Sequence, residues 1–388
     1  MEYRKLGSLV DRKIGYGIVQ PGQSVPNGVP VIKVNNVISG LYDTSELDTT
    51  TQDNDNKYSR TRLQGGELIL SVVGTIGKTA IVPNEFAGCN LVRATALIDI
   101  KTDWLTSWVK YYIDSKYGQE YIQQNLNTTV QPTLNIKSLV DMPIPFFEQS
   151  YMEKAVGILS ALDRRISNNK KINNNLEQQA RSIFVSEFIR ADLPIGWTEA
   201  SLLDIADYLN GLAMQKFRPL DNEIGMPVLK IKELRQGFCD ENSELCSPTI
   251  KPVYIIEDGD VIFSWSGSLL VDFWCGGKCG LNQHLFKVTS TKFDKWFYYA
   301  WTKHHLQKFI AIAADMATTM GHIKREELSK AKVLIPSTED YDRIGELLSP
   351  IYELIVANRK ESVKLAALRD ELLPRLMSGE IDLSDIDI

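Results

Sequence analysis

The second half of this sequence repeats the first. Four short segments recur in the same order at a nearly constant distance along the 388 residues. Two copies are too few for a solenoid, so the repeat predicts two related domains in a two-fold arrangement. The matching segments are 28–40 with 225–237, 66–74 with 259–267, 143–145 with 334–336, and 166–171 with 355–360.

Each copy begins with about 145 residues that mix short β-rich runs with Gly, Asn and Pro breaks. Each of these blocks also contains one aromatic helical stretch, at Trp104–Gln124 and Phe293–Phe309. The mixture predicts two α/β domains. The predicted β runs are Val29–Val34, Glu67–Val73 and Arg93–Ile100 in the first copy, and Val228–Ile231, Asp260–Trp265 and His284–Val288 in the second.

Each copy ends in a long helix whose apolar residues alternate in steps of three and four, which is typical of a coiled-coil seam. The alternative is that each helix packs only on its own domain. The seam runs about 32 residues, or ~48 Å at ~1.5 Å per residue, which exceeds the face of one such domain. Both seams turn polar at matching places, a pattern that fixes register and partner. The seam residues are Leu159, Leu162, Ile166, Asn169, Asn173 and Leu176 in the first helix, and Leu348, Ile351, Ile355, Asn358, Ser362 and Leu365 in the second.

Chain order determines the direction of the two helices. The first helix leads away from the first domain and the second must return, so a pair within one chain is antiparallel. The predicted fold class is therefore α+β, with two structurally related α/β domains separated by an antiparallel coiled coil of two long helices and related by a pseudo-two-fold. We expect a first domain at 1–147, a spacer helix at 148–192, a second domain at 193–337, and a second spacer helix with the tail at 338–388.

The net charge of −6 does not exclude nucleic acid as a partner. Residues 338–388 carry the whole imbalance, with six basic and twelve acidic side chains. The two domains are near neutral, so each can present a local basic face. The chain shows no membrane-spanning apolar run and no apolar segment at its start, and its five cysteines are an odd number. We therefore expect a cytoplasmic protein that does not contact a membrane.

The search for catalytic motifs excludes several enzyme classes. The segment Gly74–Lys78 resembles a phosphate loop, but Val72 stands where such a loop needs its first glycine. A methyltransferase would need an Asn-Pro-Pro or Asp-Pro-Pro loop, and neither tripeptide occurs. Asp258 and Asp260 flank Gly259 in a pattern typical of a turn rather than of a nuclease centre. No catalytic residue is predicted.

A metal site is not predicted either. Cys239 and Cys246 are separated by six residues, and Cys275 and Cys279 by three. Structural zinc sites typically use tighter pairs, and the first copy has only Cys89. The pair His304–His305 lies in the aromatic helical stretch, where surface or packing roles are the more ordinary interpretation.

Two domains on a rigid helical spacer suit a ligand that offers two sites at a fixed distance. Double-stranded DNA does so, because its grooves repeat on one face every ~34 Å. Since the two domains differ in sequence, they would read different half-sites of an asymmetric target.

The chain resembles the specificity subunits of Type I restriction–modification enzymes over essentially its whole length. The resemblance rests on the domain–helix–domain–helix order, the Gly-x-Pro-Val-x-Lys segments at 28 and 225, and the Gly-Thr-Ile-Gly-Lys loop at 74. It rests further on the Leu-Pro-x-Gly-Trp opening of the second copy at 193 and on the closing Leu-Leu-Pro-Arg-Leu-Met-Ser-Gly run at 372.

This resemblance implies a non-catalytic subunit with two target-recognition domains that read a bipartite DNA sequence with a nonspecific spacer. It implies assembly with two methyltransferase subunits and with restriction subunits. It also implies that this chain has no cofactor, and that S-adenosylmethionine, ATP and Mg belong to the partner subunits.

The candidate DNA contacts combine side-chain chemistry with the family pattern. Lysine can donate to guanine, asparagine can pair with adenine, and glycine lets the backbone approach a phosphate. The second copy departs from the pattern, because Gly267-Ser-Leu-Leu270 replaces the Gly-Thr-Ile-Gly loop. The candidates are Lys33, Asn35, Asn36, Thr75, Lys78, Gln131, Thr133, Asn135 and Lys137 in the first copy, and Lys230, Lys232, Ser266, Ser268, Lys278, Thr319, His322, Lys324 and Arg325 in the second.

Two other functions remain open at this point. The chain could be a coiled-coil scaffold that binds proteins and has no DNA specificity of its own. It could also be a metal-dependent nuclease that acts without partners. Salt-dependent DNA affinity separates the first alternative from DNA recognition, and cleavage in the presence of Mg²⁺ tests the second.

Overall fold

The structure, a computed structural model, describes residues 2–41, 43–45, 47–100, 102–127, 131–189, 192–315 and 321–386. Residue contacts divide the chain into two compact units. Unit 1 comprises residues 1–164 and 367–388, and unit 2 comprises residues 165–366. Each unit therefore contains one copy of the repeat together with part of each long helix.

Unit 1 contains eleven described strands. Its main sheet is antiparallel, with the order β2-β8-β5-β6. A second sheet has the order β4-β3-β7, in which β3 and β7 are parallel. Two pairs, β1 with β11 and β9 with β10, complete the unit. The strands are β1 Glu2–Lys5, β2 Val10–Tyr16, β3 Val29–Ile32, β4 Asp48–Thr50, β5 Leu68–Ser71, β6 Thr79–Ile81, β7 Asn90–Leu91, β8 Thr95–Ile100, β9 Leu126–Asn127, β10 Thr133–Leu134 and β11 Pro143–Phe146.

Unit 2 repeats this plan in its described residues. Its main sheet has the order β13-β20-β17-β18, and its second sheet has the order β15-β14-β19-β16, in which β14 and β19 are parallel. The pair β12–β21 corresponds to β1–β11. The strands are β12 Thr198–Ser201, β13 Asp207–Asn210, β14 Met226–Leu229, β15 Leu245–Cys246, β16 Ile255–Ile256, β17 Val261–Ser264, β18 Leu270–Phe273, β19 Cys279–Leu281, β20 Leu285–Thr289 and β21 Lys332–Ile335.

The described α-helices range in length from four residues to two long helices of 40 and 41 residues. The chain is thus mixed helix and sheet with two repeated domains, as the sequence repeat predicted. The α-helices are α1 Val34–Ser39, α2 Gln52–Lys57, α3 Asp103–Asp114, α4 Lys116–Gln124, α5 Ile136–Asp141, α6 Gln149–Phe188, α7 Leu202–Ile205, α8 Ile231–Gln236, α9 Lys295–Asp315, α10 Arg325–Lys330 and α11 Thr338–Ser378. Short 3-10 helices lie at Leu6–Ser8, Ser59–Thr61, Asn84–Phe86, Met214–Lys216 and Pro252–Tyr254.

The main sheet of each unit is buried on both faces. In β5, Leu68 and Leu70 belong to the large core under α3 and α4, whereas Ile69 belongs to a smaller core shared with the second sheet. In β17, Val261 and Phe263 face the large core and Ile262 the smaller one. This alternation follows from the two-residue period of a strand, and it explains why the two strands are almost wholly apolar.

Three sequence predictions of secondary structure are corrected. The run Val29–Val34 is a strand only to Ile32, because Val34 begins α1, and the run Val228–Ile231 is a strand only to Leu229, because Ile231 begins α8. The single helical stretch Trp104–Gln124 is two helices, broken at Ser115, whose side chain accepts the backbone N–H of Gly118 at the start of α4. A side chain at Gly118 would collide with the carbonyl of Tyr112, so glycine permits this tight break.

The long helices run antiparallel within unit 1. The Arg369 guanidinium donates to a carboxylate oxygen of Asp163 at 2.8 Å, and the Tyr151 hydroxyl donates to the carbonyl of Leu376 at 2.9 Å. Partner numbers therefore fall on α11 as they rise on α6. Leu159 is fully buried in the core of unit 1. Both helices thus contribute to that core.

Within unit 2 the same two helices are also antiparallel, and their polar positions meet. The Asn358 amide donates to Oδ1 of Asn173 at 2.9 Å, and the Asn173 amide donates to the carbonyl of Ile355 at 3.2 Å. Asn169 donates to a carboxylate oxygen of Glu361 at 2.7 Å. Asn169 and Asn173 are 1% and 7% exposed, and each amide has its hydrogen-bond partner on the opposite helix.

The remaining predicted seam residues are buried or half-buried on one side of each helix. Leu348 and Ile355 belong to the core of unit 2, and Leu176 and Ile351 pack against it. Leu162, Ile166, Ser362 and Leu365 are half-buried. No helix in the described part of the chain has the length and apolar character that a membrane crossing requires.

Candidate nucleic-acid interface

In unit 1 two of the predicted segments lie side by side. The β5–β6 hairpin loop at 72–78 contacts the stretch at 131–137 through an isolated antiparallel bridge between Val73 and Thr133. The backbone N–H of Leu134 donates to the carbonyl of Val72 at 3.0 Å. We call these two segments junction 1. Residues 60 positions apart in the sequence are thereby placed on one surface.

Unit 2 forms the same contact with the corresponding segments, 265–269 and 321–325, which we call junction 2. Ser266 and His322 form an antiparallel bridge. The N–H of Gly267 donates to the carbonyl of Gly321 at 2.8 Å, and the N–H of Ile323 donates to the carbonyl of Trp265 at 3.1 Å. Both repeats therefore unite the hairpin loop with the segment that leads into a short helix.

Glycine shapes the hairpin loop of junction 1. Gly74 and Gly77 have φ angles of +77° and +87°, a region that other residues rarely adopt. The carbonyl of Gly77 accepts the side-chain amide of Gln119 at 3.0 Å, and the N–H of Lys78 donates to the Ser71 hydroxyl at 2.8 Å. Both ends of the loop are thus held, while Thr75 and Lys78 are exposed at its tip.

Junction 2 keeps only one of these glycines. Gly267 has a φ angle of +67°, and the Ser264 hydroxyl donates to the carbonyl of Ser268 at 2.9 Å. Ser266 is 7% exposed, whereas Ser268 is exposed. Of the two predicted serines in this loop, Ser268 can reach a ligand without rearrangement.

A third predicted element, the start of a short helix after a strand, lies close to each hairpin loop. Helix α1 packs on β5 and β6, the strands that flank loop 72–78. In unit 2 the position of a Cβ on Gly267 is 3.6 Å from Cδ1 of Ile231, the first residue of α8. The candidate lysines at these starts, Lys33 and Lys230, therefore border the junctions.

Lys33 and Lys230 each form an ion pair with a carboxylate at an equivalent place in their units. Lys33 pairs with Asp48 on the neighbouring strand, and Lys230 pairs with Glu244 at the corresponding place. The hydrogen bond from Lys230 holds the pKa of Glu244 below its ordinary value. Each lysine also begins its helix, with its own backbone N–H bonded to a side chain three residues later. Part of their charge is thus already neutralised.

Two other predicted lysines of unit 2 also have carboxylate partners. Lys232 lies 3.0 Å from Asp240, and its hydrogen bond lowers the pKa of that carboxyl group. Lys278 lies 3.7 Å from Glu257. Neither lysine is part of junction 2.

The predicted cations without such a partner all lie on the two junctions. The guanidinium of Arg325 donates to the carbonyl of Tyr208 at 3.1 Å, which fixes its position without neutralising it. All of these side chains are exposed. The candidates that form no ion pair with a carboxylate among the described residues are Lys78, Lys137, Lys324 and Arg325.

Two of the predicted asparagines hold helix ends. The side-chain oxygen of Asn36 accepts the N–H of Lys33 at 2.8 Å, and that of Asn135 accepts the N–H of Ser138 at 2.8 Å. Two-point pairing with adenine needs this oxygen as well as the amide nitrogen, so it would open the cap. Asn35 is exposed on the first turn of α1.

The remaining candidates differ in their exposure to solvent. Gln131 and His322 are exposed and Thr133 is half-buried, all three on the junctions. Thr319 lies outside the described residues.

Sequence reasoning missed an aromatic depression at junction 2. It has a volume of about 390 Å³ and is lined by Trp265 and Phe286, with exposed His322, Lys324 and Arg325 at its edge. The repeat alignment contained the signal, because Trp265 stands where the first copy has Val72.

Among the residues that the structure describes, no cluster of three or more His, Cys, Asp or Glu side chains could hold a metal ion. All five cysteines are free thiols, and burial raises the pKa of Cys89 and of Cys275 to about 11. These two thiols are therefore protonated packing groups near neutral pH.

Comparison with known proteins gives one consistent result. The model of the family described as Type I restriction modification DNA specificity domain matches residues 1–178 and 194–365. The chain is 24% identical over 344 residues to the Type I restriction enzyme MjaIX specificity subunit of Methanocaldococcus jannaschii, covering 83% of this chain and 79% of that protein. It is 22% identical over 416 residues to the EcoKI specificity subunit of Escherichia coli K12, covering 91% and 86%.

A solved structure shares the fold. The crystal structure of the S subunit of a Type I restriction–modification system from M. genitalium aligns with a TM-score of 0.55 at 14% sequence identity. The alignment covers 96% of this chain and 95% of that chain.

Proposed function

Because this chain belongs to the Type I restriction–modification DNA specificity family, we propose that it is a non-catalytic subunit that recognises a bipartite DNA sequence. The target-recognition domains in this proposal are residues 1–147 and 193–337, each reading one half-site. A spacer helix at 148–192 lies between them in the sequence, and a second spacer helix with the tail follows the second domain at 338–388. Double-stranded DNA is the ligand, and the chain directs methyltransferase and restriction subunits to it.

One observation supports this proposal above the others. Each repeat joins a hairpin loop to a helix-leading segment, and the predicted cations without carboxylate partners are confined to those two junctions. Unpaired lysine and arginine on one surface are what phosphate binding requires. A scaffold that binds only proteins gives no reason for this repeated placement.

The proposed assembly contains two methyltransferase subunits in addition to restriction subunits. S-adenosylmethionine, ATP and Mg belong to those partners in this proposal, and the complex acts in the cytoplasm on chromosomal and incoming DNA. This chain contributes the choice of sequence, with Lys78, Lys137, Lys324 and Arg325 on phosphates and Asn35, Gln131 and His322 towards base edges.

The test is retention of DNA by the complex of this chain with its methyltransferase partner. The target is first identified by mapping methylated sites in cells with and without this chain. The complex should then bind a duplex carrying the target at least about 10³-fold more tightly than scrambled DNA at moderate salt. Equal retention of both duplexes would contradict the proposal and favour the scaffold. Cleavage by the isolated chain with Mg²⁺ would favour a nuclease.

A matched pair of variants tests whether the phosphate contact lies at the start of helix α10. Lys324→Ala should weaken binding to all duplexes and lower the salt dependence by about one ion, because one phosphate contact is lost. Lys330→Ala is the control, since Lys330 ends helix α10, whose N-cap is Lys324, but is paired with Glu326 at 2.7 Å and Glu327 at 3.1 Å. An equal change in both variants would exclude a specific role for Lys324.

A further inference from the structure

The aromatic depression at junction 2 has a defined floor. The Trp265 indole stacks on Phe286, with ring centroids 5.7 Å apart and an interplanar angle of 28°. Its edge faces His322, with centroids 6.4 Å apart at 81°. Ile323, 3% exposed, completes the apolar lining. The indole is therefore fixed by neighbours on two sides.

The one polar group of the Trp265 side chain already has a hydrogen-bond partner. Its indole N–H donates to the side-chain oxygen of Asn210 at 3.0 Å. The ring therefore offers a ligand hydrocarbon surface and no hydrogen bond. The cations Lys324 and Arg325 stand at the edge of this surface, so the ligand group is apolar but belongs to an anionic molecule.

In the described residues of junction 1, the positions that correspond to Trp265 and Phe286 carry no aromatic side chain. Val72 takes the place of Trp265 and is fully buried, and Ala96 takes the place of Phe286 on the paired strand and is also fully buried. Tyr16, which corresponds to Asn210, donates its hydroxyl to the carbonyl of Leu134 at 2.9 Å. The floor that Trp265 and Phe286 form in unit 2 thus has no counterpart at the matching positions of unit 1.

DNA offers one apolar group on its base edges, the 5-methyl group of thymine in the major groove. The flat face of a base is a second apolar surface, but exposing it costs a few kcal/mol of unstacking. One face of the Trp265 ring is covered by Phe286, so the depression cannot hold a base between two aromatic rings. A methyl group needs no second ring.

We propose that the depression formed by Trp265, Phe286 and Ile323 receives the 5-methyl group of a thymine in the half-site that unit 2 reads. This assignment rests on the proposed function. Lys324 and Arg325 contact the phosphates next to that thymine. The half-site of unit 2 therefore contains at least one T·A pair whose methyl group contributes to affinity.

The test replaces each thymine of the target by deoxyuridine, which removes only the methyl group. The full chain in complex with its methyltransferase partner is titrated with each duplex. One deoxyuridine in the half-site of unit 2 should weaken binding about three- to tenfold, the size expected for burying one methyl group. Deoxyuridines in the other half-site serve as the matched control and should not depend on Trp265.

Two variants test whether the loss of affinity on removing the methyl group depends on the depression. Trp265→Ala should bind the thymine and deoxyuridine duplexes equally. Trp265→Phe keeps an aromatic floor and should retain part of the discrimination, which provides a second measurement if the alanine variant does not fold. The wild-type deoxyuridine series requires no variant.

Three results would overturn the assignment. The first is a half-site of unit 2 without any T·A pair. The second is specific binding that is indifferent to every deoxyuridine in that half-site, which would leave the proposed function intact. The third is a complex that does not distinguish its target from scrambled DNA, which would overturn the proposed function together with this inference.

Discussion

In unit 1 the hairpin loop at 72–78 turns on two glycines and carries Thr75 and Lys78 at its tip, above a wholly buried Val72. In unit 2 the corresponding loop keeps one glycine, and Trp265 lines an open depression. The backbone contact with the helix-leading segment is the same in both. Duplication has therefore preserved the contact between the two segments while the side chains on it diverged, as two readers of different half-sites require.

The largest effect on DNA recognition is expected when one of the two domains is exchanged. Replacing residues 193–337 by those of another family member should abolish recognition of one half-site and leave the other unchanged. Affinity for the original target should fall about 10³-fold, towards nonspecific binding. Mapping of methylated sites measures the result. A changed sequence in both half-sites would show that the units do not read independently.

Acid should weaken unit 2 more than unit 1, because burial lowers the pKa of His304 and of His305, which both lie in unit 2. Burial lowers the pKa of His305 to about 4, and its Nε2–H donates to the carbonyl of Lys332 at 2.7 Å. Between pH ~6.5 and ~4 the unfolded chain binds a proton that the folded chain does not, so stability falls as pH falls. We expect a loss of about 2–3 kcal/mol from this group.

Pulse proteolysis in urea with peptide mapping measures the stability of each unit across that pH range. His305→Gln is the control, because glutamine can still donate to the carbonyl of Lys332 but does not titrate. An unchanged pH dependence in this variant would contradict the assignment to His305.

Alanine substitutions at the loop glycines separate backbone strain from a lost contact. Gly74→Ala places its methyl group in open space, so only the strain at φ +77° remains, about 1 kcal/mol. Gly77→Ala adds a collision 2.7 Å from Oε1 of Gln119 and should cost about 2 kcal/mol. Thermal unfolding and affinity for the half-site of unit 1 should both be more affected at Gly77. Equal effects would mean that Gln119 does not hold the loop.

The smallest effect is expected at the paired lysines. Lys33→Gln should weaken binding about threefold and only at the half-site of unit 1, since its charge is shared with Asp48. Asp48→Asn should strengthen binding by a similar factor, because it frees that charge. Titration at two salt concentrations compares the two variants. No change in either would mean that Lys33 serves only to begin α1.

The sequence repeat and the heptad pattern were sufficient to predict the two related domains, the long helices and their antiparallel pairing. Both signals are periodic, so they persist over many residues. The break at Ser115 was not visible, because it depends on one hydroxyl cap and on the missing side chain of Gly118.

The candidate interface was less accessible from sequence. The segments 72–78 and 131–137 were recognised separately in the sequence. Their contact depends on the backbone bridge between Val73 and Thr133, which joins residues far apart in the chain. The commitment of Asn36 and Asn135 to helix caps, and of Lys232 to Asp240, is a matter of local geometry that residue type does not reveal. Which of the candidate side chains contact bases thus stays a prediction.

The amides of Asn169, Asn173 and Asn358 have a consequence for how such chains change length. Sliding α6 along α11 by one turn would bring Asn169 to the place of Asn173 or the reverse, so one of these two amides would lie opposite hydrocarbon, at a cost of about 1–3 kcal/mol. An insertion in one helix alone is therefore penalised, whereas matched insertions in both restore every pairing. Variants with an altered gap between half-sites should consequently arise from coordinated changes at two distant points of the gene.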